Sequence, residues 1–338
     1  MTAPTRVVVG TGAWGTTLAV MLARTGPVTL LARSGEVADT IARSRENGAH
    51  LPGVALPEAV TVTADEGLVS AARELVVMAV PAGHMRESAV RIASLVRTEG
   101  VVLSVAKGIE TESLARMSEV LAAELPVPSA RIAALSGPNL APEIARGMPA
   151  GSVVGATDDA VGEWLVTTLT GPAFRVYRNR DLVGVELAGA LKNVIAIAAG
   201  AVEALGLGDN ARAAIVTRGL AEMTRLGVAA GASPLTFAGL AGIGDLLATV
   251  GSPLSRNHRL GLEVARGRPW AEVEASFGGV AEGAHTVTAA LGLAERLSVE
   301  LPIAREVQAV LFDGKPVADS IRDLLSRDPK DEMEGLAR

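Results

Sequence analysis

Short runs of apolar, β-branched residues alternate with stretches of helical periodicity through the first half of the chain, and then the short runs stop. Residues 7–9 (VVV), 28–32 (VTLLA), 75–80 (LVVMAV), 101–105 (VVLSV), 132–135 (IAAL), 152–155 (SVVG) and 174–177 (FRVY) read as strands. Residues 16–24 and 84–96 read as helices between the first and third pairs of these runs. Repeated strand, turn and helix predict a mostly parallel sheet wound on both faces. From Asp181 onward the strand signals are gone. Residues 181–223 carry no proline and are apolar on nearly every face, which predicts a buried helix, and residues 211–226 set apolar positions at helical spacing between Arg212, Arg218, Glu222 and Arg225. The expected fold class is therefore α/β: an N-terminal Rossmann-type, doubly wound, mostly parallel sheet over residues 1–180, followed by an all-helical C-terminal domain over residues 181–338. A chain of 338 residues is long enough for two such domains.

The first strand leads straight into Gly10-Thr11-Gly12-Ala13-Trp14-Gly15, a G-x-G-x-x-G that opens a helix. In that setting Gly10 permits the tight turn, Gly12 lets the backbone approach a pyrophosphate, and Gly15 lets helix and strand pack closely. The second strand ends at Arg33, where a site preferring NAD usually places an acid. A guanidinium there suits a 2′-phosphate and points to NADPH over NADH; a solvated arginine is the plainer alternative. Arg33, Pro81, Lys107 and Ser136-Gly137 all follow strands, at the carboxyl ends where such sheets bind ligands.

Between Arg180 and Arg212 the helical half holds one cation, Lys192, in a run of Ala, Val, Ile, Leu and Gly. A buried ammonium is costly, so its pKa is expected to fall toward neutrality, as proton transfer requires. Asn193 and Glu186 are placed to satisfy or orient it. The alternative is a lysine snorkelling from a helix end. Further on, residues 236–246 (TFAGLAGIGDL) form a glycine-rich stretch delivering one carboxylate, Asp245. Ser255 reads as an N-cap with Arg256 and Asn257 in the first turn. A cation opposes that end of the helix dipole unless an anionic ligand such as phosphate sits there.

Composition narrows the chemistry. Hydrophobic residues make up 49% and aromatics only 2%, so the cores must be built from small aliphatics. The formal charge of −6 gives no sign of nucleic acid or an anionic membrane as partner. Cysteine is absent and the four histidines (His50, His84, His258, His285) are scattered, which excludes thiolate chemistry and leaves no metal-ligand spacing. No stretch reads as a signal peptide; the apolar run at 188–207 is interrupted by Lys192, Asn193 and Glu203, so no membrane insertion is expected, and a cytoplasmic location is. Residues 328–338 (DPKDEMEGLAR) read as a charged, frayed tail. An apolar helical second half is compatible with a homodimer.

Taken together the chain resembles the bacterial NAD(P)-dependent glycerol-3-phosphate dehydrogenases. The resemblance runs nearly end to end: GTGAWGTTLA at 10–19, REN at 45–47 with LPG at 51–53, AKGIE at 106–110, LSGPNLAPEIARGMP at 135–149, VELAGALKNVIAIAAG at 185–200, GLGDNARAAIVTRGLAEM at 206–223, TFAGLAGIGDL at 236–246 and SRN at 255–257. It implies reversible hydride transfer between NAD(P)H and dihydroxyacetone phosphate, giving sn-glycerol 3-phosphate for phospholipid synthesis. It implies that Gly10, Gly12, Ala13, Trp14, Gly15, Arg33 and His50 line the dinucleotide, with Asn139 and Ala141 framing the site beside Gly137. The family often has serine at 13, tyrosine at 50 and serine at 139. By the same resemblance Lys107 touches cofactor and substrate, Lys192 donates and accepts the proton beside Asp245, and Ser255, Arg256 and Asn257 hold the phosphate. Arg256, Val280 and Glu282 would also reach the cofactor. Residues 247–254 (LATVGSPL) depart from the family's threonine- and cysteine-bearing version at positions not expected to matter to the chemistry. Two other readings remain open on the sequence: a related two-domain reductase of another small oxo- or hydroxy-acid, and a dinucleotide-binding sensor without chemistry. The Ser255-Arg256-Asn257 cluster speaks against the first and the buried lysine against the second.

Overall fold

The computed structural model of the protein describes residues 5–277, 280–328 and 331–332; most of the charged tail therefore lies outside the described residues. The chain divides into two compact units, one of residues 1–106 and 117–182, the other of residues 107–116 and 183–338. The ten residues from Lys107 to Arg116 thus belong with the helical unit, although a sequence boundary at 180 assigns them to the sheet.

The first unit holds one eight-stranded sheet: β1 (Thr5–Val9), β2 (Val28–Leu31), β3 (Val60–Thr63), β4 (Ala72–Met78), β5 (Val101–Ser104), β6 (Ile132–Ser136), β7 (Ala150–Gly155) and β8 (Phe174–Asn179). Its order is β3-β2-β1-β4-β5-β6-β7-β8, and every pairing is parallel except β6 with β7. Six helices connect the strands: α1 (Ala13–Leu22), α2 (Gly35–Ser44), α3 (Met85–Ile92), α4 (Met117–Glu124), α5 (Ala141–Ala145) and α6 (Asp159–Leu169). Val7 and Val8 at the sheet centre are fully buried, pairing with Thr29 and Leu30 on one side and Val76 and Val77 on the other. The strand order reverses between β1 and β4, where such sheets open a ligand crevice at their carboxyl ends.

Three local differences from the sequence reading have plain causes. β3 went unpredicted because it is an edge strand of two valines and two threonines with only Val60 buried. β4 starts at Ala72 because pairing with β1 outweighs the polar Arg73 and Glu74. The helix expected over 84–96 is α-helical only over Met85–Ile92 and closes in a tighter turn, Ala93–Leu95.

The second unit is helical: α7 (Leu182–Ala204), α8 (Gly208–Ala229), α9 (Pro234–Phe237), α10 (Asp245–Gly251), α11 (Arg256–Ala265), α12 (Trp270–Ala275), α13 (Glu282–Arg296), α14 (Pro302–Phe312) and α15 (Val317–Leu325). The apolar run over 181–223 is two helices, because Gly206 (φ +65°) and Gly208 (φ +83°) adopt left-handed backbone and turn the chain. Among the described residues, two stretches are long and apolar enough to span a membrane by length and composition alone, Leu182–Ala204 and Pro234–Gly251. In the first, 89% of the most apolar window is buried inside the structure, the mark of a core helix.

Candidate active site

α7 carries Lys192 inward. The residue is 6% exposed, so it does not snorkel to the surface. Its Nζ donates to Asp245 Oδ1 at 2.7 Å and to Thr249 Oγ1 at 2.6 Å, which leaves the third ammonium hydrogen for a ligand. The second oxygen of Asp245 accepts from Lys107 Nζ at 2.6 Å. Asp245 begins α10 directly after a wide π-helical turn, Leu240–Gly244, and the helix N-terminus favours its negative charge. Thr249 lies one turn on, so the same short helix presents both groups to Lys192. The Lys192 pKa is lowered to about 8: burial pushes it down, Asp245 pulls it part of the way back, and Lys107 lowers it further. With both lysines protonated and Asp245 ionised, two positive charges less one negative leave a net positive site. Such a site is suited to an oxygen on which negative charge develops.

Two expectations change here. Glu186 does not orient Lys192; it is paired with Arg116 at 2.5 Å. The 247–254 stretch, not expected to matter to the chemistry, contacts Lys192 through the Thr249 hydroxyl, which also donates to Asp245 O at 2.6 Å. Sequence reading passed over Thr249 because one threonine in an apolar stretch looks like filler. Its four-residue spacing from Asp245 was the available signal. Asn193 serves the site indirectly: Nδ2 donates to the Lys107 carbonyl at 3.1 Å, while Oδ1 accepts from Asn257 Nδ2 at 2.9 Å.

Asn257 belongs to the first turn of α11, and its Oδ1 accepts from Gly283 N at 2.9 Å. One of its amide hydrogens is thus committed to Asn193, and the other remains for a ligand. Ser255 is the N-cap, accepting from His258 N at 3.2 Å. The backbone N–H groups of Arg256 and Asn257 have no intrahelical acceptor, and no acid lies in this first turn. Arg256 has an exposed surface, yet the surrounding protein lowers its pKa, opposed by Glu282 and then Glu274. Ser255, Arg256 and Asn257 therefore place backbone dipole, guanidinium and amide at one helix start, a combination suited to an anion. Val280 follows Gly278 and Gly279, which lie outside the described residues, and Glu282 opens α13.

In the sheet unit, Gly10 has φ +111°, and Gly15 approaches so closely that a Cβ there would lie 2.2 Å from the Gly10 carbonyl oxygen. Nothing lies within 4 Å of a Cβ placed on Gly12, so the turn presents open backbone at the start of α1. Asn47, hidden within the REN motif, holds this turn: its Nδ2 donates to Thr11 O at 2.7 Å and Thr16 Oγ1 at 2.8 Å. Trp14 packs its ring near Phe174, centroids 6.3 Å apart. Arg33 and His50 are exposed, and Ala13 is the first residue of α1. Gly137 follows β6 and Ala141 starts α5. Asn139 Nδ2 donates to Ser152 Oγ at 3.2 Å. Buried Trp14 Nε1, Ser104 Oγ, Ser136 Oγ and Asn139 Oδ1 have no protein partner. Unpaired polar atoms at the first turn of α1 and after β5 and β6, beside an open glycine turn, fit a polar dinucleotide. Among the described residues, no group of three or more His, Asp or Glu side chains is placed to hold a metal ion.

A sheet with this order and glycine turn, in one chain with a Lys–Asp–Lys cluster around a buried Lys192 and Asp245, defines a nicotinamide-dependent oxidoreductase. Residues 6–162 match the model for the N-terminus of NAD-dependent glycerol-3-phosphate dehydrogenase, and residues 181–322 match that for its C-terminus. The chain is 46% identical to a glycerol-3-phosphate dehydrogenase [NAD(P)+] of Frankia casuarinae over 322 residues, 95% of this chain and 96% of the relative. It is likewise 46% identical to one of Corynebacterium kroppenstedtii over 327 residues, 96% and 98% of the two chains. The crystal structure of glycerol-3-phosphate dehydrogenase from Coxiella burnetii superposes with a TM-score of 0.91 at 33% identity, covering 96% of this chain and 99% of that one. The chain belongs to the NAD-dependent glycerol-3-phosphate dehydrogenase family, and it is an oxidoreductase that uses NAD or NADP.

Proposed function

We propose that the protein interconverts dihydroxyacetone phosphate and sn-glycerol 3-phosphate, with NADPH preferred and NADH an alternative, in the cytoplasm, as a source of glycerol 3-phosphate for phospholipid synthesis. The observation that carries this reading is Lys192, buried and bound to Asp245, with its pKa brought down to about 8. The bound nicotinamide supplies the hydride. Lys192 Nζ holds the proton that the substrate oxygen receives in the reductive direction and takes it back in the oxidative one. Lys107 adds a second positive charge against the developing oxyanion, and Asp245 holds both ammonium groups in place. Ser255, Arg256 and Asn257 would bind the phosphate, with Gly137 at the substrate's edge, and so orient the carbonyl. Gly10, Gly12, Ala13, Trp14, Gly15, Arg33, His50, Lys107, Asn139, Ala141, Arg256, Val280 and Glu282 would hold the dinucleotide. Arg33 supports the preference for the 2′-phosphate. Residues 1–180 would then serve cofactor binding and residues 181–338 substrate binding and catalysis, with Lys107 contributed from the first stretch; a homodimer suits the apolar helical half.

The test follows reduced-nicotinamide absorbance with dihydroxyacetone phosphate and either NADPH or NADH. NADPH is expected to be consumed faster, and faster NADH turnover would reject the role given to Arg33. Lys192→Ala is expected to lose about 10²- to 10⁴-fold in kcat with an unchanged Tm, because Asp245 keeps Lys107 as partner. Near-normal turnover by that variant would reject Lys192, and no oxidation of either cofactor by the parent would reject the reaction.

A further inference from the structure

We infer that Glu186 and Arg116 are positioning residues for Lys107, an ion pair that, together with Asn193, clamps the segment Lys107–Arg116 at both ends to one face of α7. The inference rests on the role proposed for Lys107. That residue lies in neither helix nor strand, yet its Nζ sits 2.6 Å from Asp245. A cation that stabilises a developing charge must be held before the reaction, and a long stem on irregular backbone does not hold itself.

Two contacts supply the hold. At the start of the segment, the Lys107 carbonyl accepts from Asn193 Nδ2. At its end, Arg116 Nη1 donates to Glu186 Oε2 at 2.5 Å, with the two side chains only 17% and 5% exposed. Glu186 and Asn193 are seven residues apart, about two helical turns, so both project from the same face of α7 with an axial separation of about 10.5 Å. Gly189 and Ala190 lie on that face between them and are buried. Inside the segment the chain doubles back: Ile109 bridges Arg116, Glu110 N donates to Ala115 O at 3.0 Å, and Leu114 N to Glu110 O at 2.9 Å. Leu114 stands at φ +60°, a conformation that a leucine keeps only where its surroundings impose it. The residue just before the Asn193 anchor on α7, Lys192, reaches the other oxygen of the same Asp245. One helix thereby sets both lysines against one carboxylate.

The test uses the full-length protein and two variants. Glu186→Gln leaves Arg116 facing a neutral amide. The double variant Arg116→Met/Glu186→Leu removes both charges of this pair at similar volume. Both are expected to lower kcat by about ten- to a hundredfold, the cost of a misplaced catalytic group. Both are also expected to move the alkaline limb of the pH–rate profile upward, because the repulsion of Lys107 on Lys192 weakens. Lys107 should become at least several-fold more reactive toward an amine-acylating reagent, read by peptide mass spectrometry. Glu186→Gln should lower Tm while the double variant recovers it. A double variant with parental kcat, an unmoved limb and unchanged Lys107 labelling would show the pair to be structural only. If the parent fails to reduce dihydroxyacetone phosphate, the proposed reaction falls, while the labelling contrast still decides the clamp.

Discussion

Replacing Thr249 with valine, at nearly unchanged volume, removes the oxygen that sits beside the Lys192 ammonium and donates to the Asp245 carbonyl. The hydroxyl accepts from Nζ at 2.6 Å, and the residue is itself buried. A hydrogen bond to a charged group contributes about 1.5–3 kcal/mol. The lower end of that range, about 1.5 kcal/mol, corresponds to about one pKa unit. Loss of the bond disfavours the charged form, so the Lys192 pKa falls from about 8 to about 7. In the proposed ketone reduction Lys192 must carry a proton. At about pH 7.5 its protonated fraction would drop from about three quarters to about one quarter, a roughly threefold loss, while near pH 6 the loss nearly vanishes. In alcohol oxidation Lys192 must be neutral, so the acid limb moves to lower pH and activity near neutrality is spared. The assay is kcat/KM against pH in both directions, which reports the groups of the uncomplexed enzyme. A deficit of the same size at every pH, with the limb unmoved, would refute the idea that Thr249 acts on the lysine proton.

Glu222 is 4% exposed and caps α14, accepting from Ile303 N at 2.7 Å and Ala304 N at 3.3 Å; burial raises its pKa from 4.5 to about 7 despite those bonds. The folded state therefore holds a proton that the unfolded chain has lost, a contribution fully present below 4.5 and gone as pH rises through about 7. The displacement from 4.5 to about 7 amounts to on the order of 3 kcal/mol. Glu222→Gln should flatten the fall in Tm between about pH 5 and pH 8, and a slope equal to that of the parent would assign the proton elsewhere. Asn47→Ala unpins the phosphate turn and should weaken NADPH binding by about tenfold in calorimetric titration, with KM for dihydroxyacetone phosphate unchanged; equal losses in both would make Asn47 a general fold residue. Gly15→Ala places a carbon 2.2 Å from the Gly10 carbonyl oxygen, so the turn must open, with loss of NADPH binding and a lower Tm. Parental cofactor affinity in that variant would contradict the packing role of Gly15.

Most of the architecture was legible in the sequence because it rests on local physics. The β-branched runs at 7–9 and 101–105, the glycine turn at 10–15 and the Ser255 cap each state their structure within a few residues. Lys192 lies in apolar surroundings along one helix, which suggested burial but left a lysine snorkelling from a helix end open. What the local signals missed was decided by partners far along the chain. β3 exists through pairing with β2, since its own valines and threonines make a weak strand. Glu186 sits six residues before Lys192 and reads as its natural partner, yet an arginine 70 residues away takes it. Thr249 gains its role because the turn before Asp245 aims one face of α10 at α7. Lys107 follows a strand of the sheet but packs with the helical unit, where Asn193 and Asp245 hold it. By itself the sequence determined the elements and the types of group the chemistry uses, because propensity, capping and hydrophobic period act over one or two turns. Only the tertiary structure decided which of those groups meet, because a buried charge is satisfied by whichever partner packing brings within 3 Å, at any distance along the chain.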